Sequence, residues 1–242
     1  PLGAMSRPDQ PSESAVSFGD EDNLTELLRL VPVFATLEGV HLQQLAREMT
    51  RREVTKGELV TVEGQPAEGL FVVASGRLKR FKVSQGGHEQ ILKFLQPGES
   101  FGEVPLLDGG PDPASTEAME RGVVFVLPVS RFEHLVQQSP DLALGLIRFL
   151  AGRLRHFTQL VEDLSFLHRT QRVAKLVLER TAVGDLNRLT QSDMAAAAGT
   201  AREVVGRALR ELEMRGAIQV EHGRITVQNQ VQLEAIAGVE AE

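Results

Sequence analysis

The stretch from Thr190 to Leu209 restricts the fold of this chain more than any other. Thr190 can cap a helix through its hydroxyl. The run Ala195–Ala198 is small enough for a second helix to pack closely. Gly199 falls where a left-handed turn residue is needed. In the helix that follows, Glu203, Arg207 and Arg210 recur at i, i+4 and i+7 and share one face. Val205, Leu209 and Leu212 fall on the other face and can pack inward. Two readings of the polar face stand side by side. One is a solvated helix surface with weak i,i+4 charge pairs. The other is a helix-turn-helix whose second helix, from Arg202 onward, presents Arg to guanine and Glu to the cytosine amino group in a major groove. The glycine turn favours the second reading. So does the stretch 216–227, two short β-patterned runs around His222-Gly223, which reads as a hairpin and fits a wing.

The 242 residues, 42% of them hydrophobic, suffice to bury a core and suggest one or two domains. The chain has no cysteine, which excludes disulfides, thiol redox sensing and Cys-ligated zinc or iron–sulfur clusters. No apolar run approaches the roughly 18 residues of a membrane span, and no basic start is followed by an apolar stretch. A cytoplasmic protein without a membrane partner is expected. The net charge of −7 argues against sequence-blind binding to nucleic acid. Residues 171–242 hold 9 Lys and Arg against 10 Asp and Glu, so this region is not basic either. Contact with DNA would have to come from local placement of Arg202, Arg207, Arg210 and Arg224, with few phosphate contacts and a moderate salt dependence.

Residues 1–22 are rich in Ser, Pro, Gly and acids and are expected to form a disordered tail. Within it, Pro1-Leu2-Gly3-Ala4 reads as the remnant of a protease site ahead of a native start at Met5. Residues 23–140 read as a sensor domain with flanking helices at 23–30, 40–49 and 129–138. Between them, from 50 to 127, short apolar alternations are cut by Gly57, Gly64, Gly69, Gly76, Gly86, Gly87, Gly98, Gly102, Gly109 and Gly110, the pattern of a small barrel or roll. Residues 141–168 switch to helical period. Ile147, Leu150, Leu154, Phe157, Val161 and Leu164 advance in steps of three and four, and His168 continues the register. This is the seam of a dimerising coiled coil, or of a helix that buries one face against its own domain. Gly152 weakens it by about 1 kcal/mol relative to Ala. A two-fold dimer suits a palindromic double-stranded site. After a break at 166–170, residues 169–242 hold a helix at 171–181, a loop at 184–187, the helix-turn-helix and the wing.

Further motifs follow one another in a fixed order. Gly64-Gln65-Pro66-Ala67 precedes Phe71-Val72-Val73 and Ser75-Gly76-Arg77-Leu78-Lys79. Then come Leu95-Gln96-Pro97-Gly98-Glu99-Ser100-Phe101-Gly102-Glu103, Leu164-Ser165-Phe166-Leu167 with Arg172-Val173-Ala174, and Arg202-Glu203-Val204-Val205-Gly206-Arg207. Together, over roughly residues 24–228, they resemble the bacterial family of the cyclic-AMP receptor protein and the fumarate–nitrate reduction regulator (Crp–Fnr). The resemblance implies an α+β fold: an N-terminal β-roll of the cyclic-nucleotide-binding type, a long dimerisation helix and a C-terminal winged helix-turn-helix. It implies a homodimeric, sequence-specific transcription regulator, with RNA polymerase as a partner. By position, Arg202, Glu203 and Arg207 match base-contacting residues. Thr190 and Gln191 match positions near the DNA backbone, and Val204 departs from a Thr common there.

Leu95–Glu103 looks like the family's phosphate-binding cassette, and here the chain departs from the pattern. Binders of cyclic nucleotides carry an Arg ten residues past the Glu, followed by Ser or Thr, whereas Pro113-Ala114 stands here, with Ser115 and Thr116 after it. Asp112 adds negative charge beside the phosphate position. Phe157 and Thr158 sit where binders offer two hydroxyls to the base, and only Thr158 keeps one. Gly102, Glu103, Ser115, Thr116, Phe157 and Thr158 are therefore candidates for the effector pocket, and cyclic AMP is not expected to bind tightly. Three fillings of the pocket remain open: the chain's own side chains, another small effector, or haem. Haem would need an axial ligand such as one of His41, His88, His134, His156, His168 or His222. The histidines form no ligand cluster in sequence, no metal site is expected, and the cofactor is left unknown. A β-roll module that signals through a protein partner is the competing function. An enzyme is not expected, because no Ser/His/Asp order, phosphate-binding Walker loop or His-Glu metal motif stands out.

Overall fold

The computed structural model describes residues 21–35 and 37–238, so the tail expected over 1–22 lies outside it up to residue 20. Two helices, α1 (Glu21–Leu30) and α2 (Gly39–Glu48), open the chain. Eight strands follow: β1 (Thr50–Val54), β2 (Leu59–Thr61), β3 (Gly69–Ser75), β4 (Leu78–Val83), β5 (Glu89–Leu95), β6 (Ser100–Phe101), β7 (Ser115–Ala118) and β8 (Gly122–Pro128). A short helix, α3 (Glu103–Asp108), lies between β6 and β7. The strands form two four-stranded sheets, in the orders β1-β8-β3-β6 and β2-β7-β4-β5, with antiparallel pairing throughout.

Strand β3 shows why this half of the chain reads as a string of apolar runs. Its side chains alternate between two faces, and both faces are covered. Phe71 and Val73 enter the roll with Val54, Val60, Leu78, Leu95, Phe101 and Val124. Leu70, Val72 and Ala74 pack outward, with Leu127 of β8, against Leu28, Phe34, Leu45, Phe132 and Leu142 of the helical layer. Inside the roll, the rings of Phe71 and Phe101 stack with centroids 4.7 Å apart.

After α4 (Val129–Gln138) comes the longest element, α5 (Pro140–Phe166). Ser139 caps it by accepting from the Leu142 amide, and Pro140 occupies its first turn, where a missing N–H costs nothing. Leu142 and Leu146 are buried against the roll. Beyond them the helix carries an exposed apolar ridge: Ile147, Leu154, Phe157, Val161 and Leu164, with Leu150 half-buried. The helix ends at Leu167, whose backbone is extended. His168 is then the N-cap of the next helix, its amide donating to the Gln171 side chain. The heptad register read through His168 is therefore corrected. The chain leaves the helix before that residue, and His168 does not continue the ridge.

The last part holds α6 (Arg169–Val183), α7 (Gln191–Ala197), α8 (Arg202–Met214), the hairpin β9 (Ile218–Glu221) and β10 (Arg224–Val227), and α9 (Gln230–Ala237). Val173, Val177, Met194, Val205, Leu209, Leu212, Ile218 and Leu233 form its core. Phe81, Ile91 and Phe94, from the outer face of β4 and β5, join the same cluster. The roll and the C-terminal helices thus share one apolar contact. The architecture is the α+β arrangement that the motifs imply.

Gly102 shows how tightly the roll is closed. Its φ is +90°, and a Cβ built on it would stand 2.7 Å from the Gly69 carbonyl oxygen. Gly102→Ala is expected to lower stability by about 1–3 kcal/mol. The checking measurement is urea denaturation, with a lower midpoint and an unchanged slope.

Candidate nucleic-acid interface and effector pocket

The helix-turn-helix is built from local rules. Thr190 is extended, and its hydroxyl accepts from the Asp193 amide at 3.1 Å. The Asp193 carboxylate accepts in return from the Thr190 amide at 2.8 Å. This capping box fixes the start of α7 and is worth about 1 kcal/mol. Gly199, with φ +58°, turns the chain. A Cβ there would lie 2.7 Å from Leu164 Cδ2 and 2.8 Å from Gln90 Oε1, side-chain ends that could shift, so it is the left-handed backbone that favours glycine.

In α8, Val205, Ala208, Leu209 and Leu212 are buried. Arg202, Glu203, Arg207 and Arg210 are all exposed. Among the described residues none of these four takes part in an ion pair, although Glu203 and Arg207 are four apart. The i,i+4 pairing that a solvated helix face would show is therefore missing at this position, and the guanidinium groups stand open. Thr190 and Gln191 are exposed at the start of α7, and Gln191 Oε1 lies 3.9 Å from the Cβ position on Gly206 of α8. Arg224 is exposed in the hairpin, beside a turn in which His222 has φ +50°. Asn187 anchors that hairpin, donating to the Ile225 carbonyl at 3.1 Å and accepting from the Ile225 amide at 2.7 Å.

One side chain joins this unit to the end of α5. Arg172 donates to the Leu167 carbonyl at 2.8 Å, the Ala198 carbonyl at 2.7 Å and the Gly199 carbonyl at 3.2 Å. A second link runs from the roll. Arg77 lies 3.6 Å from Asp185 and donates to the Arg188 carbonyl at 3.3 Å, while Gln96 donates to Asp185 at 3.1 Å.

The pocket candidates are largely engaged by their own chain. Glu103 is buried and accepts from the Ser100 hydroxyl at 2.6 Å. The Ser115 hydroxyl accepts from the Glu63 amide at 3.0 Å, and Thr116, fully buried, accepts from the Thr61 hydroxyl at 3.0 Å. Phe157 and Thr158 are exposed on α5, and the Thr158 hydroxyl donates to Leu154 of its own helix at 2.9 Å.

Three cations of this region escaped the motif reading: Arg80, Lys93 and Arg153. Arg80 and Lys93 are opposite each other in the β4–β5 ladder. By alternation they share the inward face of Leu78 and Leu95. That alternation is a signal the sequence does contain. Arg80 pairs with Asp112, and Lys93 pairs with Glu99. Arg153 donates to the Ser100 carbonyl at 2.8 Å. Burial pushes the Lys93 ammonium below its usual range, helped by Arg153 and opposed by Glu99 and Glu103. Burial likewise lowers Arg153, against the pull of Glu103 and Glu99. Pro113 stands where binders carry the Arg, and the guanidinium that meets Asp112 comes instead from Arg80 of β4.

Between β5, α5 and α6 lies a cavity of about 380 Å³, lined among others by Phe94, His156, Leu160 and Glu179. Glu179 lines this cavity yet stays exposed to solvent, and partial desolvation by the surrounding wall raises its carboxyl above the ordinary carboxylate range, against the lowering effect of Lys175 and Arg180.

A family model described as the cyclic nucleotide-binding domain matches residues 51–139, and one described as the Crp-like helix-turn-helix domain matches residues 171–236. The chain is 34% identical to the cyclic AMP receptor protein of Thermus thermophilus over 208 residues, covering 85% of this chain and 96% of that protein. The solved structure of FixK2 from Bradyrhizobium japonicum matches with a TM-score of 0.71 and 26% identity, covering 80% of this chain and 99% of that one. A transcriptional regulator of the Crp/Fnr family from Eubacterium rectale matches with a TM-score of 0.73 and 22% identity, covering 87% and 99%.

The raised Glu179 carboxyl generates a pH prediction. A folded-state pKa above the unfolded one favours folding below the unfolded value, and that contribution is lost as pH rises through the folded value. Glu179→Gln, which cannot ionise, is expected to melt above the wild type near pH 8, with the gap closing towards pH 4. Thermal unfolding across that range checks it.

Proposed function

The chain belongs to the Crp/Fnr family of transcription regulators, and on that premise we propose that it acts as a homodimer, reads a palindromic double-stranded DNA site and does not depend on cyclic AMP. It is a regulator and not an enzyme. The observation that carries the reading is the exposed, unpaired set Arg202, Glu203, Arg207 and Arg210 on a helix whose other face is buried. Arg207 offers two donors to a guanine edge, and Glu203 offers an acceptor to a cytosine amino group. Thr190, Gln191 and Arg224 flank that face and would hold phosphate oxygens, which position the helix without reading sequence.

The dimer is supported by the ridge of α5. Ile147, Leu154 and Val161 are each more than 60% exposed on one helix face, a continuous apolar stripe that a lone protomer would leave in water. A second copy of α5 covers it in the manner of a coiled coil. Independence from cyclic AMP is supported by the pocket, where Asp112 stands on a guanidinium and the Ser115 and Thr116 hydroxyls are occupied within the chain. RNA polymerase as a partner, and action in the cytoplasm, follow from the family alone. Among the described residues no helix is long and apolar enough to cross a membrane.

Two outcomes are expected. In a gel shift with a palindromic site, Arg207→Ala should cost about 1–3 kcal/mol of affinity and relax the base preference at one position of each half-site. A uniform loss across all sequences would contradict base reading by this residue. In sedimentation, Val161→Asp should shift the protein from dimer to monomer and remove its preference for a two-half-site operator. A wild type that sediments as a monomer at micromolar concentration would overturn the dimer.

A further inference from the structure

We propose that Asp112 is a built-in anion, a carboxylate of the chain itself that fills the site where the phosphate of an effector would otherwise be held. The inference rests on the reading that the protein does not depend on cyclic AMP, and deepens it by naming what takes the ligand's place. Asp112 Oδ1 accepts from the Arg80 guanidinium and from the Ala114 amide, the latter at 3.3 Å. A guanidinium with a backbone N–H is a general receptor for carboxylate and phosphate oxygens. The Asp112 side chain is 4% exposed and that of Arg80 13%, so the pair is closed off from water.

The carboxylate is presented by a fixed backbone. The Asp112 amide donates to the Gln65 carbonyl at 2.8 Å, and the Asp112 carbonyl accepts from the Gly64 amide at 2.8 Å. The loop between α3 and β7 is thus pinned to the turn after β2, and its acid is aimed at β4. Of the neighbouring cations, Lys93 is paired in the same way. Lys93 holds Glu99, and Arg153 lies near Glu99 and Glu103. Arg153 forms no ion pair among the described residues and is held by the Ser100 carbonyl at 2.8 Å. Arg80, which the pattern of binders does not predict, supplies the receptor, and Asp112, in the place next to the missing Arg, supplies the tethered ligand. On this reading the Asp112 carboxylate takes the place in the roll that an effector's phosphate would occupy.

Removing the tethered carboxylate should expose the receptor to free anions. The test uses the full chain as wild type, as Asp112→Ala and as the double variant Arg80→Met with Asp112→Leu, which removes receptor and ligand together. Acetate and inorganic phosphate are titrated at constant ionic strength, with chloride as the balancing ion, and the melting temperature is recorded. The wild type should respond to acetate and phosphate no more than to chloride. Asp112→Ala should melt lower and recover with acetate or phosphate in a saturable way, by about 3 °C at ten times the half-saturating concentration. The double variant should fold and show no such recovery. If Asp112→Ala does not accumulate as folded protein, refolding yield with and without acetate gives the same readout. An Asp112→Ala protein indifferent to both anions, or a double variant that recovers equally, overturns the proposal. A gel shift on the wild type with and without cyclic AMP tests that underlying reading separately, so the loss of one conclusion is not mistaken for the loss of the other.

Discussion

The guanidinium of Arg172 is the contact on which the arrangement of the working parts depends. It is held by three carbonyls: Leu167, where the long helix has just ended, and Ala198 and Gly199, where the helix-turn-helix bends. Hydrogen bonds from a charged donor contribute about 1.5–3 kcal/mol each. Burial pushes the Arg172 pKa down from its usual value, helped by Arg169 and opposed by Asp163. The turn that aims α8 is therefore tied to the end of α5 by one rigid, planar group. In the proposed dimer, a shift of α5 against a second copy would reach the face of α8 through this joint.

The roll grips the same unit from the side. Phe81, Ile91 and Phe94 complete the apolar core of the C-terminal helices, and Gln90 donates to the Ala197 carbonyl at 3.3 Å. Strands β4 and β5 thus face two ways. Their inward side chains, Arg80 and Lys93, belong to the pocket, while their outward ones touch the DNA-reading unit. A protein with a net charge of −7 can still read DNA with this design, because the recognition face is left unpaired while most other cations are matched. Arg80, Lys79, Lys82, Lys93 and Lys175 all sit on carboxylates.

Much of this was legible in the sequence, for reasons that differ by element. The helix-turn-helix follows from short-range rules: a cap at Thr190, a left-handed glycine at 199 and a 3.6-residue period, each of which acts within a few residues. The ridge of α5 follows from period alone. His168 was misplaced because period carries no information about where a helix stops, and a capping box with Gln171 decided that locally. The pocket was the least legible part. Asp112 and Arg80 are 32 residues apart, and their meeting depends on strand order and on the irregularity in the β4–β5 register at Arg80/Phe81. The alternation of β4 does place Arg80 inside the roll, but only once its edges and its bulge are known.

The most direct measurement is selection of bound sequences from a random pool of duplex DNA by the full-length wild-type protein, run with and without cyclic AMP. The expected result is one inverted repeat, its half-sites about ten base pairs apart from centre to centre, enriched equally under both conditions. Enrichment of nothing, of a single half-site, or of the repeat only when cyclic AMP is added would contradict this account.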